Sequence, residues 1–256
     1  MKTYLKTYFY SDHEYEFINA NLRESLDHVD SMILCEFDIH HTGLKRDLVF
    51  DMNRIDEDLR HKVEYFPCMV HGRSDTVEAY DDEAAIHRIN EPIMRSYFTI
   101  VKDFDNDDII YSVDADEVIY RDTYEKMNPL VKERGAMRLL LNQFFYKKNY
   151  LWKDKIFDSP GAFLYGAMPQ KYMNNWRDYG IAPTFMCGAH FSWCMSVEKM
   201  VEKLHIYAHT RYRDCADIDL LTDAVENKKY PFDPSVRFDI EELNMDDYRI
   251  PESMRT

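Results

Sequence analysis

The run Asp108-Ile-Ile-Tyr-Ser-Val113 is compact and apolar, and Asp114, Asp116 and Glu117 follow it at once. A short apolar run without polar alternation suits a strand buried on both faces, as in parallel sheets covered by helices. Ligands bind such sheets in the crevice at the carboxyl ends of the strands, so the three acidic residues fall where a ligand would sit. Carboxylates there repel a phosphate directly, but they can hold a hard divalent cation that bridges to a diphosphate. If strand geometry persists, Asp114 and Asp116 point the same way.

The rest of the first half supports that placement. Tyr4 to Tyr10 reads as a strand, about His13 to His28 as a helix, Ser31 to Glu36 as a second strand and Lys62 to Phe66 as a short third one. Between Glu83 and Phe104, Ile86, Ile89, Ile93, Tyr97 and Ile100 recur at gaps of three and four, the face of one long helix. This alternation predicts an α/β domain with a mostly parallel central sheet flanked by helices. In the second half, Arg138 to Tyr146 reads as a long strand, and Gly161 to Tyr165 and Thr184 to Met195 as strand pieces. A helix is expected from Ser196 to His209, opened by Ser196, and another from Asp217 to Lys229, stopped by Pro231 and Pro234. One catalytic domain over residues 1–236 is expected, followed by an acidic, loosely packed tail over 237–256.

Composition narrows the function. Lys and Arg number 32 against 47 Asp and Glu, a formal charge of −15, which disfavours nucleic-acid and anionic-membrane partners. An acidic chain that binds an anionic substrate needs local cations or a divalent metal to do so. With seven glycines and no GxG, a dinucleotide fingerprint and a P-loop are excluded, and GxSxG and HExxH are also absent. The five cysteines form no CxxC, there is no Asn-x-Ser/Thr acceptor, and the first residues hold no apolar run fit for a signal peptide or membrane span. The expected compartment is a reducing cytoplasm.

Spacing alone is weak evidence for a metal site, because Asp-x-Asp occurs five times in the chain; only the pair at Asp114 ends an apolar strand. The wider pattern is more specific. The segment IIYSVDADEV, followed downstream by CGAHFSWCM, resembles glycosyltransferase family 17, as do ILCEFDIHHTGLKRDLVF and INEPIMRSYF in the same order, with Glu91 and Arg95 four residues apart. The resemblance covers about Tyr8 to Phe232. It departs at Ala189, Phe191 and Tyr120, where the family has tryptophan, cysteine and proline.

The resemblance implies a single GT-A-type domain and an inverting, divalent-metal-dependent transfer, with Mn²⁺ or Mg²⁺. The donor would be a nucleotide sugar, expected to be UDP-linked and to carry N-acetylglucosamine, and the acceptor a glycan. The family's animal members are membrane-anchored; with no apolar anchor read in the first residues, a bacterial or viral enzyme acting on a surface glycan is the expectation. On this reading Asp114 faces the ribose or a metal-bound water, Asp116 ligates the metal and His190 completes the metal shell. Glu117 supports the loop, Arg95 meets the diphosphate or fixes the acidic loop, and Glu36 contacts the nucleoside.

Transfer with inversion also needs a carboxylate to take the acceptor proton. The run RDCADIDLL offers Asp217, Asp214 and Asp219, with Asp217 preferred, although a helix cap is an equally good use of it. Trp193 and Trp176 are candidates for stacking on a sugar, and Lys147 and Lys148 for an acceptor groove or an exposed edge. His205 and His209 read as surface residues. The alternatives are an inverting glycoside hydrolase with paired carboxylates, a metal-dependent phosphohydrolase or nucleotidyltransferase, and a glycan-binding module.

Overall fold

The computed structural model describes residues 1–70, 82–168 and 180–255. Its strands are β1 (Thr3–Phe9), β2 (Ser31–Phe37), β3 (Val63–Cys68), β4 (Ile109–Ser112), β5 (Glu117–Ile119), β6 (Ala136–Arg138), β7 (Leu141–Phe145), β8 (Tyr150–Phe157), β9 (Gly161–Leu164), β10 (Gly188–Ser192) and β11 (Ile240–Glu242). Its helices are α1 (Tyr15–Ser25), α2 (Glu83–Ala85), α3 (Glu91–Ser96), α4 (Phe98–Val101), α5 (Arg121–Arg134), α6 (Val197–Ile206) and α7 (Ile218–Glu226).

Two sheets form, in the orders β3-β2-β1-β4-β9-β6 and β11-β8-β7-β10-β5. The strands β3, β2, β1 and β4 are mutually parallel, and β9 runs antiparallel to both β4 and β6. In the second sheet only β7 and β10 pair in parallel among the described residues. The architecture is therefore mixed α/β, which corrects the expectation of one mostly parallel sheet. Parallel neighbours need long crossovers, whereas a short turn returns the chain antiparallel. The turn between β7 and β8 is of that short kind, with Tyr146 at φ 69° and Lys147 Nζ donating to Tyr150 Oη at 3.0 Å. The two lysines beside the aromatics thus belong to a hairpin.

Alternation in the parallel strands explains their continuous burial. Leu5 and Phe9 of β1, Met32 and Leu34 of β2, and Ile109 and Tyr111 of β4 enter one core. Tyr4 and Tyr8, Ile33 and Cys35, and Ile110 enter another on the opposite face. Helix α1 lies between the sheets: Ile18 and Leu22 join the first core, while Phe17 and Ala20 meet Phe144 and Phe191 of the second sheet.

Three expectations give way to the geometry. The stretch from Arg138 to Tyr146 is not one strand; it divides into β6 and β7, which lie in different sheets. The long helix is interrupted by a π-helical segment, Ile86–Asn90, ahead of Pro92. Proline supplies no amide hydrogen and crowds the preceding turn, which is a recognised cause of such a widening. The segment after 237 is not loose: Leu243, Ile250 and Met254 are buried against α1 and β7, and Ser253 N donates to Glu24 Oε1 at 2.8 Å. Gly188 shows how tightly the second sheet closes, because a Cβ there would lie 2.3 Å from the Val118 carbonyl oxygen.

Candidate functional site

A cavity of about 350 Å³ opens at the carboxyl ends of β1 and β4, lined among others by Tyr8, Tyr10, Arg95, Asp114, Asp116 and His190. Strand β4 stops at Ser112, and Asp114 to Glu117 make a turn closed by Glu117 N donating to the Asp114 carbonyl at 3.0 Å. The chain turns here because it must leave the first sheet and start β5 in the second. The strand geometry that would have aligned Asp114 with Asp116 therefore does not persist. Glu117 is buried, and its Oε2 accepts from Asp114 N at 2.7 Å, holding the turn.

Asp114 is met by Arg95, with Nη1 3.0 Å from Oδ1 and Nη2 3.4 Å from Oδ2. Arg95 is only 7% exposed and also pairs with Glu91, whose Oε1 lies 2.8 Å from Nη2. Glu91 in turn meets His87 Nδ1 at 2.5 Å. The three residues are spaced by four along interrupted helical chain, so the i,i+4 relation stacks them on one side. Burial pushes the Glu91 carboxyl up, but the His87 hydrogen bond and the Arg95 charge outweigh it and hold the group well below the usual carboxylate range.

Asp116 faces His190 instead, with Oδ2 3.8 Å from Nε2. The backbone fixes both partners: His190 on β10 pairs with Glu117 of β5 and with Gln143 of β7, and Phe191 N donates to the Asp116 carbonyl at 2.8 Å. The Gln143 amide nitrogen donates to the Phe144 carbonyl at 2.8 Å, which turns Oε1 toward His190 Nδ1 at 3.0 Å. An acceptor there calls for the hydrogen on Nδ1, while Nε2 points to the Asp116 carboxylate. A carboxylate oxygen and an imidazole nitrogen face to face, with the far ring nitrogen held by a second residue, are a donor pair that a divalent cation could bridge. Asp114, by contrast, turns to Arg95. Among the described residues, the donor sets that converge within 4.8 Å do not include Asp114, Asp116 and His190 together.

Other sequence candidates lie elsewhere. Glu36 is fully buried and outside the cavity lining. It accepts from Arg46 Nη2 at 2.9 Å, Val49 N at 2.7 Å, Phe50 N at 3.1 Å and Tyr65 Oη at 2.8 Å. Its work is to pin the loop that follows β2. Asp214, Asp217 and Asp219 are all exposed and none lines the cavity. Asp217 caps α7, accepting from Leu220 N at 2.8 Å. Asp217→Ala is therefore expected to cost about 1 kcal/mol of stability, the usual worth of a cap, with kcat unchanged. A hundredfold loss of kcat would restore the base to this run. Trp193 lines the cavity but is only 4% exposed, packed on Tyr207 and Phe232, so little of its ring is available for stacking. Trp176 lies outside the described residues.

The sequence reading passed over several residues of the lining. Tyr8 lies at the end of β1, and Tyr10 and Glu14 follow it as Asp114 follows β4, so the same strand-end rule would have found them. Lys199 and Lys203 reach the cavity from α6, and His209, read as surface, lines it while His205 is exposed.

Three partly buried groups of this wall make stability depend on pH. Burial lowers His13 and His41 to about 4 from an ordinary 6.5. Burial raises Glu14 to about 8 from 4.5, against the backbone hydrogen bonds from Tyr10 and Ser11. Between 6.5 and 4 the unfolded chain binds the histidine protons and the folded chain does not, so that stability is lost as pH falls. Between 4.5 and 8 the folded chain keeps the Glu14 proton and the unfolded chain does not, so that contribution is lost as pH rises. Urea unfolding from pH 5 to 8 is expected to show Glu14→Gln gaining on the wild type toward pH 8. His41→Asn should gain on it toward pH 5. Parallel curves would refute both assignments.

No helix of the described residues is long and apolar enough to cross a membrane. No protein of curated function matches the chain. A solved structure, that of S. aureus TarS 1-349, shares 10% identity and superposes with a TM-score of 0.41, covering 89% of this chain and 71% of that one. At that similarity the superposition carries no argument. The sequence model of glycosyltransferase family 17 matches residues 6–223, from β1 into α7, a span that includes Arg95, Asp114, Asp116 and His190, and the chain belongs to that family.

Proposed function

We propose that the chain is an inverting, divalent-metal-dependent transferase of GT-A type. It would move a sugar, with N-acetylglucosamine as the family's precedent, from a UDP-linked donor to a glycan hydroxyl. The observation that carries this reading is the cavity at the carboxyl ends of β1 and β4, with Asp116 facing His190 across 3.8 Å and Arg95 holding the same turn through Asp114. Asp116 and His190 would hold Mn²⁺ or Mg²⁺, which neutralises charge growing on the departing diphosphate. Asp114 would act from beside that position, toward the ribose or a metal-bound water.

The cavity lining carries six carboxylates and three cations, Arg95 on one wall and Lys199 and Lys203 on another. Those lysines answer the need for local positive charge around a diphosphate. The strongly ion-paired Glu91 is a poor proton acceptor, and Glu14 is engaged by the amides of Tyr10 and Ser11 at 2.6 and 3.2 Å. Glu202 lines the cavity, and its pair with Lys199 at 2.6 Å is exposed and screened by solvent, unlike that of Glu91; it is the carboxylate we assign as the base.

The test is a thermal shift with a panel of nucleoside diphosphates, with and without Mn²⁺. UDP with Mn²⁺ is expected to raise Tm, since a ligand at a hundred times its Kd adds about 2.7 kcal/mol. Glu202→Gln should keep that shift and lose transfer by about a hundredfold or more. No shift with any nucleotide would favour the glycoside hydrolase, which needs neither metal nor nucleotide.

A further inference from the structure

Beyond the Asp116 turn, one set of side chains has the composition of a metal site. Glu83 of α2, His87 of the π-helical segment and His209, which follows α6, bring one donor atom each to within 4.8 Å of one another. We propose that they form a second metal site, selective for zinc or a similar borderline cation, at the edge of the cavity.

The geometry is close to what such an ion requires. Glu83 Oε1 lies 2.8 Å from His209 Nδ1 and 3.7 Å from His87 Nε2. Tetrahedral zinc with bonds of 2.0–2.1 Å places its ligand atoms roughly 3.3 Å apart, between those two distances. Two imidazoles and one carboxylate are a three-ligand set that leaves a fourth position open, and His87 and His209 line the cavity. The orienting residue is also present: Glu91 meets the far nitrogen of His87, Nδ1, at 2.5 Å, which directs Nε2 at the other ligands. Arg211 Nη1, 3.0 Å from Glu83, neutralises the carboxylate; with 61% of its side chain exposed, it can swing into solvent when a cation takes its place.

The same set ties to the catalytic turn. Glu91 also binds Arg95, and Arg95 binds Asp114. An ion on His87 would thus fix the position of the carboxylate that holds Arg95. The inference does not rest on the transferase mechanism, because the three ligands are separate from Asp116 and His190.

Equilibrium dialysis against Zn²⁺, with X-ray absorption on the loaded protein, tests it. Wild type is expected to retain one tight equivalent with two imidazole ligands, and Asp116→Ala should retain it as well. His209→Ala and Glu83→Gln should each weaken binding at least tenfold, with circular dichroism unchanged. Glu83→Gln keeps the side chain's shape while removing its charge, so it decides the matter if His209→Ala fails to fold. Absence of a tight equivalent in wild type overturns the proposal, as does its loss in Asp116→Ala or its persistence in both ligand variants.

Discussion

Arg95→Met is expected to remove about 3–5 kcal/mol of stability, the scale seen when one partner of a buried ion pair is deleted. The guanidinium lies between Glu91 and Asp114, at 2.8 and 3.0 Å, and is nearly inaccessible to water. Methionine fills much of the same volume but removes the cation that Glu91 and Asp114 share, leaving Glu91 to His87. Arg95→Lys would recover part of the loss at most, since a point charge cannot reproduce the fork that reaches both partners. Urea unfolding of the three proteins is the measurement. A loss under 1 kcal/mol for Arg95→Met would show that the pair is screened like a surface bridge and that Arg95 does not organise the turn.

Asp116→Asn is expected to lower kcat by about a hundred- to a thousandfold, the range for removing one preorganised electrostatic contact. The substitution keeps the side chain's shape, and the backbone contacts of Asp116 to β10 do not involve its carboxylate. Stability should therefore change little. The Mn²⁺-dependent part of nucleotide binding should vanish with activity. A variant that transfers sugar at the wild-type rate would remove Asp116 from the metal site and leave its pairing with His190 as ordinary packing.

What could be read in the sequence divides by the range of the interaction that decides it. The strands of the parallel half are local apolar runs, so β1, β2, β3 and β4 fall within a few residues of their expected places. The caps are local too, and Ser196 and Asp217 open α6 and α7 as expected. The division of Arg138 to Tyr146 between sheets depends on partners far along the chain, β9 and β10, and no periodicity reports that. At the site, the strand-end rule located Asp114, Asp116 and Glu117. It did not foresee that the turn would send Asp114 to Arg95 and Asp116 to His190, because that follows from the change of sheet. The cap at Asp217 and a catalytic base look alike in sequence, and only the distance of α7 from the cavity separates them.

The packing of residues 243–254 on α1 bears on how the molecule is made. Ser253 bonds to Glu24 and Ala20 across 229 and 233 residues of chain, and Ile250 and Met254 cover the side of α1 that carries Phe17 and Ala20. On the ribosome, that greasy flank of α1 waits for β7 and β10, and the rest of its cover comes only with residues 243–254. The nascent chain is then a natural client for a chaperone that shields apolar surface. Ile250→Ala, which thins that late cover, is expected to cost about 2–5 kcal/mol of stability and to lower soluble yield with it.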